Sequence, residues 1–417
     1  MISAEEALRI ILEAVRAVRG ETIGVARAAG RTAAEDITCR TDVPPFDNSS
    51  MDGFALRSSD VAAAGPGRPV RLALAGESSA GNPFGAKLPA RAAVRVMTGG
   101  VIPRGADTVV PLEQAEGAGT GAVLIRAPSR AGSYIRRRGE DIPRGRRVIV
   151  RGDLLTPPHI GVLSSLGRTR VSVARRPRTA ILATGDELVP PGRIPGPGRI
   201  RNSSSYALAG MVEEAGGEPR FIGIARDRKE AIRRKVLRGL AADILLLTGG
   251  VSVGARDFVG EVLRDAGVDI RFWKVNIRPG SPLLFGVARR TLVFGLPGNP
   301  VSTAVTFLQF VKPALRRMLG QRDVFPFRFA ALADESLECG GGKRCYLRGI
   351  VRSEAGTLRV RTTGSQSSGV MTSMLAANCL IVLPEGGKAL SPGDLVEIEL
   401  LRDPASGARS GGKRSDA

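Results

Sequence analysis

The sequence predicts a multi-domain protein of the α/β plus β class, with a central doubly wound parallel α/β domain, a β-rich second domain and a small C-terminal β-barrel. Three observations predict this class. Residues 179–319 alternate apolar strand-like runs with helical patterns, which is typical of a parallel sheet covered by helices on both faces. A Gly- and Pro-rich stretch with short strand-like pieces precedes that region. From about residue 327 the chain becomes strand-rich again.

These changes of pattern also give the expected domain bounds. The β-rich stretch interrupts a helical region, which resumes after it, so the second domain is expected to be an insertion. The expected domains are a helical one at 1–43 and 146–177, an inserted β-rich one at 44–145, the α/β one at 178–326, the barrel at 327–403 and a disordered tail at 404–417.

The first 20 residues are expected to form a packed helix. Ser3 and Glu6 have the spacing of a capping box, and Leu8 and Ile11 share one helical face. The acids in this stretch argue against a signal peptide. No run approaches the ~18 apolar residues that span a bilayer, so we expect no membrane association.

The α/β elements follow in order along the central region. "TAILATGDEL" and "RFIGIA" are typical of strands, and "DILLLTGG" has the unbroken apolar run of a strand buried on both faces. The helix that carries Leu208, Met211 and Val212 on one face is expected to end at Gly216. Asn299 and Pro300 are placed as the N-cap and first residue of the helix after "GLPGNP", whose backbone amides could bind an anion.

Composition narrows the possible functions and the setting. The net charge is +21, from 61 Lys and Arg against 40 Asp and Glu, so nucleic acid has to be considered. Nucleic acid is disfavoured, because aromatic residues make up only 4% and no nucleic-acid-binding signature occurs. The four cysteines match neither a zinc ribbon nor a dense disulfide framework, so reduced thiols and a cytoplasmic location are expected. His159, the only histidine, is expected at a helix start.

Acidic residues follow three of the predicted strands. Asp186 and Glu187 follow "ILATG", Asp227 follows "GIAR", and Asp257 follows "LLLTGGVSVGAR". Ligands of parallel α/β sheets bind beyond the carboxyl ends of the strands, so these acids are expected at one rim. A single acid there is more often a helix cap. Three together favour a Mg²⁺-bound phosphate, with Asp186, Glu187 and Asp257 as expected metal ligands.

Basic residues in the next segment fit the same phosphate. Lys274 and Arg278 can hold further phosphate oxygens. A P-loop is disfavoured, because Ala255 and Arg256 stand where a P-loop requires Lys and Ser or Thr. Two segments outside the α/β domain also concentrate polar groups: "PPFDNSSMDGFAL" and "RRRGEDI". Alone, the first could be an Asx-turn loop and the second a surface ion cluster.

Together these segments resemble the MoeA family of molybdopterin molybdenumtransferases, which also includes the C-terminal domain of gephyrin. The similarity covers nearly the whole chain, and "TGGVSVG" alone would also fit related molybdopterin-binding domains. The segments that carry the resemblance are, in chain order, "PPFDNSSMDGFAL", "VMTGG", "RRRGEDI", "TGDEL", "TGGVSVGARDF", "FWKVNIRPGSP" and "GLPGNPVS".

The resemblance implies an elongated homodimer whose reaction is the Mg²⁺-dependent insertion of molybdate into adenylylated molybdopterin, with release of AMP. It also implies that the second domain leans toward the partner's α/β rim, and it suggests the molybdopterin adenylyltransferase as a further partner. The catalytic residues implied are Asp52, Asp141, Glu187, Asp227, Asp257 and Lys274. The substrate-binding residues implied are Thr98, Thr184, Gly250, Ser252, Arg278, Ser281, Ser302, Arg348 and Ser368.

The chain departs from the family where an oxyanion is expected to bind. Family members usually read Lys-Pro-Gly-Lys-Pro where this chain has Arg278-Pro279-Gly280-Ser281-Pro282, so one cation changes its geometry and another is lost. Three alternatives to the molybdate-inserting enzyme stay open: a molybdopterin-binding scaffold with little turnover, a tungstate-inserting homologue, and a basic nucleic-acid binder. The acids at the rim favour an enzyme, since a scaffold would not need them.

Overall fold

The structure is a computed structural model that describes residues 1–117, 121–250 and 258–403. In the described part of 1–177 the helices are α1 (Ala4–Ala14) and α2 (Pro157–Ser165). The strands there are β1 (Gly20–Gly24), β2 (Ile37–Thr38), β3 (Asn48–Ser49), β4 (Gly53–Leu56), β5 (Val70–Ser78), β6 (Ala92–Val96), β7 (Thr108–Pro111), β8 (Ala115–Glu116), β9 (Ala122–Ile125), β10 (Ile135–Arg136), β11 (Arg147–Ile149) and β12 (Arg170–Ala174).

The first region is built from two separate pieces of chain. β1 pairs with β12 and β2 with β11, both antiparallel, so the chain returns to its starting unit after the intervening strands. Buried residues from both pieces, such as Ile37 and Val173, share one core. Between them lies a six-stranded sheet in the order β7-β4-β6-β5-β9-β8, and β3 pairs with β10 beside it. The domain bounds themselves stay a prediction.

The two helices begin where their sequences predict. In α1 the Ser3 hydroxyl accepts from the Glu6 amide at 3.1 Å, while the Glu6 side chain pairs with Arg9 instead of completing the capping box. Ile11 is fully buried in the core of the α/β region, so α1 is packed as expected. His159 lies in the first turn of α2, as predicted, and its Nδ1 accepts from the Thr156 amide at 3.2 Å.

The α/β region follows. Its helices in the described residues are α3 (Ser204–Glu214), α4 (Lys229–Gly239), α5 (Val259–Asp265), α6 (Pro300–Thr306) and α7 (Lys312–Met318), and a π-helical stretch, Phe307–Val311, joins the last two. Its strands are β13 (Arg178–Thr184), β14 (Leu188–Val189), β15 (Ile200–Arg201), β16 (Glu218–Ala225), β17 (Ile244–Thr248), β18 (Asp269–Trp273), β19 (Ile277–Arg278), β20 (Leu284–Ala288) and β21 (Thr291–Leu296).

The central sheet has the order β16-β13-β17-β21-β20-β18. The first four strands are parallel, and β20 and β18 extend the sheet antiparallel. Residues of β17 alternate between two cores: Leu246 packs with α3, α6 and α7, and Leu247 packs with α4 and α5. This explains the unbroken apolar run, and the predicted fold class of this domain is confirmed.

The C-terminal region closes into a barrel. Its elements are β22 (Arg328–Ala333), β23 (Arg344–Glu354), β24 (Thr357–Thr362), α8 (Thr372–Ala376), β25 (Cys379–Leu383) and β26 (Leu395–Leu400). The ladder runs β23-β24-β22-β26-β25, and β25 pairs back onto β23 to close it. β19 adds to β23 in parallel, which joins the barrel to the α/β region. The predicted small barrel is therefore confirmed.

The expectation that all four cysteines are reduced is wrong for one pair. The turn before β23 brings Cys339 to Cys345 with a Cα–Cα distance of 5.9 Å, and the two form a disulfide. A six-residue separation alone does not reveal this pairing, because it depends on how the turn folds back. Cys39 and Cys379 are buried and free, and burial raises the pKa of the Cys379 thiol to about 12.

Two further expectations concern the outside of the fold. Among the helices of the described residues, none combines the length and apolar character needed to cross a bilayer. The tail at 404–417, expected to be disordered, lies outside the described residues.

Candidate active site

The carboxyl ends of β13, β17 and β21 border a cavity of about 450 Å³. Thr184 ends β13 and Thr248 ends β17, and both side chains are buried. The Thr184 hydroxyl donates to the Thr248 carbonyl at 3.4 Å, which ties the two strand ends together. Residues 200–204 and Asn299 line the cavity from other sides. A ligand therefore has a concave site at the rim where the sequence predicts one.

The turn after β17 forms part of the cavity floor and requires glycine. Gly249 and Gly250 have φ values of +81° and +62°, which side chains rarely adopt. A Cβ on Gly250 would lie 2.7 Å from the Thr184 hydroxyl oxygen. The bare backbone of this turn can thus approach a ligand closely. Ser252 and Asp257, which follow in the sequence, lie outside the described residues.

Two aspartates at neighbouring strand ends hold each other in place. The Asp186 amide donates to Asp227 Oδ2, and the Asp227 amide donates to Asp186 Oδ1, both at 3.3 Å. The exchange arises because β13 and β16 are parallel neighbours whose chains turn at the same level. Each carboxylate keeps a second oxygen that this exchange does not use. The structure therefore brings Asp186 and Asp227 together, as predicted for the rim.

Glu187 extends this acidic group into the cavity. Its carboxylate lies directly over Gly185, where a Cβ would meet both carboxylate oxygens at 2.5 Å. Glu187 also lines the rim cavity, whereas Asp186 and Asp227 lie beside it. Any side chain at position 185 would push the Glu187 carboxylate away from this place.

The acidic group has the chemistry of a Mg²⁺ site. Within the described ranges, the carboxylates of Asp186, Glu187 and Asp227 take part in no ion pair. Carboxylate oxygens are the ligands that Mg²⁺ prefers, so the residues present fit the ion. Residues 1–117, 121–250 and 258–403 contain no set of three His, Cys, Asp or Glu side chains already arranged to hold a metal. The predicted set includes Asp257 and stays a prediction.

Lys274, Arg278 and Ser281 lie on the segment that leads from β18 to β20. Lys274 is half-buried and has a φ of +90°, a strained conformation for a residue with a side chain. Arg278 is exposed in β19 and pairs in register with Cys345 of the barrel. The Ser281 hydroxyl donates to the Val275 carbonyl at 2.9 Å. None of these three residues lines the cavity. Pro282, which follows Ser281 in the chain, does line it.

The barrel reaches the rim through Ser368. The Asn299 side-chain amide, at the start of α6, donates to the Ser368 hydroxyl at 2.9 Å, and the Val301 amide donates to the Ser368 carbonyl at 3.2 Å. Asn299 occupies the predicted N-cap position, but its side chain makes this bond instead of capping the helix. Ser302 is buried in α6 and does not line the cavity.

Arg348 is a buried cation close to Ser368 in the chain fold. Only 1% of its surface is exposed, and its guanidinium donates to the Ser373 hydroxyl at 3.2 Å and the Ser367 carbonyl at 3.3 Å. Both acceptors are neutral, and no carboxylate among the described residues pairs with it. Burial lowers the pKa of the Arg348 guanidinium. A buried charge without a counter-ion is costly, which makes Arg348 a candidate for binding an anion.

Asp52 and Thr98 come together in the β-rich region, as the resemblance implies. The Thr98 amide and hydroxyl donate to Asp52 Oδ1 at 2.7 and 2.8 Å. The amide and then the hydroxyl of Thr98 lower the pKa of the Asp52 carboxyl. The carboxylate is therefore ionised and oriented at neutral pH.

Asp141 is an exposed acid of "RRRGEDI". Arg137 and Arg138 donate to Asp47, and Glu140 accepts from the Arg137 amide at 2.7 Å. In the described part of the chain no such bond to the Asp141 carboxylate is found. Its backbone is held instead, since its amide donates to the Val43 carbonyl at 3.1 Å.

Within one chain, the structure thus assembles part of the predicted site. Thr184, Glu187 and Gly250 line one cavity, and Asp186, Asp227 and Ser368 adjoin it. No described residue of 44–145 lines that cavity, so the residues predicted there (Asp52, Thr98 and Asp141) lie outside it. Sequence reasoning missed Thr248, Asn299 as a bridge to the barrel, and the lining segment 200–204, which the polar run "RNSSS" could have indicated.

Three family profiles match this chain and together cover most of it. The profile described as the MoeA N-terminal region (domain I and II) matches residues 2–167. That of a probable molybdopterin binding domain matches 180–317, and that of the MoeA C-terminal region (domain IV) matches 330–401.

Known proteins are similar to this chain over most of their length. A molybdopterin molybdenumtransferase of Haemophilus influenzae is 36% identical over 382 residues, which is 91% of this chain and 93% of that protein. The protein of that name in Bacillus subtilis is 34% identical over 406 residues, or 96% and 94%. The crystal structure of a molybdopterin biosynthesis moeA protein from Pyrococcus horikoshii superposes with a TM-score of 0.83 at 29% identity, covering 96% of this chain and 100% of that one.

Proposed function

The chain belongs to the MoeA family, and from this premise we propose that it is a molybdopterin molybdenumtransferase of molybdenum cofactor biosynthesis. In finer terms, the proposed reaction is the Mg²⁺-dependent insertion of molybdate into adenylylated molybdopterin with release of AMP. As two Mo–S bonds form, one molybdate oxygen leaves as water with the two thiol protons. A second water adds across the pyrophosphate bond, and AMP leaves with its phosphate.

The observation that carries the proposal is the acidic group at the rim. The carboxylates of Asp186, Glu187 and Asp227 form no ion pair in the described residues. They adjoin a cavity whose glycine turn lets the backbone approach a phosphate closely. Carboxylates repel phosphate unless a cation lies between them, and oxygen ligands favour Mg²⁺. When bound, Mg²⁺ neutralises phosphate charge and polarises the bond to be cleaved. Asp186, Glu187 and, by resemblance, Asp257 would hold it.

A different set of residues is proposed to bind the molybdate oxyanion. Molybdate is a dianion, and Arg348 is a buried cation that lacks a negative partner among the described residues. Ser368, held by Asn299, places a hydroxyl next to Ser367, whose carbonyl accepts from Arg348. Arg278 supplies an exposed cation on the strand that joins the barrel. We assign these groups to binding molybdate, and the glycine turn and acids to the pyrophosphate.

The second group of acids is proposed to act from a second copy of the chain. Asp52, oriented by Thr98, and Asp141 do not line the rim cavity of their own chain. In a homodimer these acids would complete the partner's site. Their carboxylates would orient the attacking water or a thiol, because an ionised carboxylate accepts such a proton.

Release of AMP tests the proposal. The protein is incubated with adenylylated molybdopterin, molybdate and Mg²⁺, and AMP is followed by chromatography. We expect AMP from the wild type, none when Mg²⁺ is chelated, and a loss of at least 10²-fold in Glu187→Gln. Glu213→Gln is the matched control, since Glu213 is exposed on α3 and does not line the cavity. Tight substrate binding without AMP release would overturn the enzyme in favour of a scaffold.

A further inference from the structure

A second cavity, of about 510 Å³, lies beside the rim cavity and has different chemistry. It is formed between the β14–β15 pair, the first turn of α3 and the edge strand β16. The two cavities share Leu188 and Asn202, but no carboxylate of the described residues lines the second one. Its volume is in the range of pockets that hold small organic ligands. The proposed reaction uses none of its side chains.

Two aromatic rings form an open wall of this second cavity. Tyr206 and Phe221 have ring centroids 4.9 Å apart with planes tilted by 36°. About half of each residue remains exposed, 52% and 50%. Large rings left open beside a cavity offer a surface on which a planar, unsaturated ring can stack, whatever its hydrogen-bonding pattern.

Three guanidinium groups line the same cavity. Arg193 and Arg199 lie on the 190–199 loop, and no carboxylate in the described residues pairs with either side chain. Arg226 lies at the end of β16, and its Nη1 donates to the Asp186 carbonyl at 2.6 Å. Guanidinium groups bind phosphate through paired hydrogen bonds, and a site with three of them and no acid favours an anion without a metal ion.

Ser205 lines this cavity and is 2% exposed. Its Oγ is enclosed and makes no hydrogen bond within the described structure. Its backbone is fixed, because its amide donates to Asn202 Oδ1 at 3.2 Å. Buried polar groups almost always have a partner, and rotation about the Cα–Cβ bond of Ser205 would turn this hydroxyl toward a ligand in the cavity.

We propose that the second cavity binds a nucleoside monophosphate, separately from the rim. The base stacks on Tyr206 and Phe221, the phosphate binds Arg193 and Arg199, and a ribose hydroxyl bonds with Ser205. This site does not rest on the proposed reaction, since its evidence comes from different residues. Arg226 touches the turn that carries Asp186, so the second site adjoins the acids without including them.

A tryptophan placed in the wall of this cavity reports binding there. The chain has a single tryptophan, Trp273, which does not line either cavity and gives the background signal. In Tyr206→Trp, titration with AMP is expected to quench the new fluorescence with saturation. Adenosine and inorganic phosphate are expected to bind at least about tenfold more weakly, because each provides only half of the contacts.

Charge variants in the same background identify the phosphate site. Arg193→Ala with Arg199→Ala is expected to weaken AMP binding about tenfold or more. Arg220→Ala is the matched control, because Arg220 lies on β16 next to Phe221, pairs with Glu218 and does not line the cavity. Absence of quenching at millimolar AMP, or equal loss in both variants, would overturn the site. So would a change of sedimentation coefficient in Tyr206→Trp, which would show that a second copy covers this face.

Discussion

Replacing Arg348 by methionine should separate stability from function in the proposed oxyanion site. The change removes hydrogen bonds of 3.2 and 3.3 Å to two neutral acceptors. At about 1.5–3 kcal/mol each for a charged donor, their loss costs about 3–6 kcal/mol. It also removes a buried charge without a counter-ion, whose desolvation costs several kcal/mol. The two effects nearly cancel, so the variant should be about as stable as the wild type when molybdate is absent.

Molybdate should make the wild type the more stable of the two proteins. At 100 times its dissociation constant, an anion that binds only the folded state adds about 2.7 kcal/mol to the wild type. Loss of a charged hydrogen bond costs about 1.5–3 kcal/mol, so Arg348→Met should bind molybdate at least about tenfold more weakly. Thermal unfolding with and without sodium molybdate measures both effects.

Arg352→Met is the matched control for this experiment. Arg352 lies on the same strand, β23, but is exposed and pairs with Glu354 and Asp334. We expect it to keep the full molybdate-dependent gain. If Arg348→Met unfolds at a much lower temperature than the wild type and still gains fully from molybdate, Arg348 has a structural role and the oxyanion assignment is wrong.

Two further predictions concern the anion and the acids. Ser281→Lys restores a cation near Arg278 and should lower the half-saturating molybdate concentration about tenfold if position 281 faces the ion; equal molybdate dependence would show that Ser281, whose hydroxyl donates to Val275, makes no contact with it. Thr98→Val removes one of the two hydrogen bonds that lower the pKa of Asp52, so the pKa should rise toward its ordinary value and the acidic limb of the AMP-release profile should move to higher pH. An acidic limb at the same pH in both proteins would mean that Asp52 does not control it.

The α/β core was predictable from sequence because its burial pattern is simple. β17 is covered on both faces, which leaves an unbroken apolar run, and the helices on each face repeat apolar residues at helical spacing. The direction of β18 and β20 was not predictable, because strand composition does not record whether a strand runs parallel or antiparallel. The disulfide was missed for a similar reason, since Cys339 and Cys345 meet only through the fold of one turn.

The site residues were predictable where they directly follow a strand in the sequence. Glu187 and the Gly249-Gly250 turn follow their strands directly, so topology alone places them at the rim. The burial of Arg348 could not be read from "YLRGIV", because an arginine in a strand is usually solvated. The bond between Asn299 and Ser368 joins residues 69 apart and depends on how the barrel docks.

The central claim is that each active site combines the rim acids of one chain with Asp52 and Asp141 of another. Glu187→Ala and Asp52→Ala homodimers should each be nearly inactive, since each lacks one required acid in both of its sites. In a mixed dimer of the two variants, one site carries both substitutions and the other site carries neither. Purified heterodimers carrying two different affinity tags should therefore regain about half of the wild-type rate of AMP release. Heterodimers as inactive as both parents would contradict the shared site and require all these acids to act within one chain.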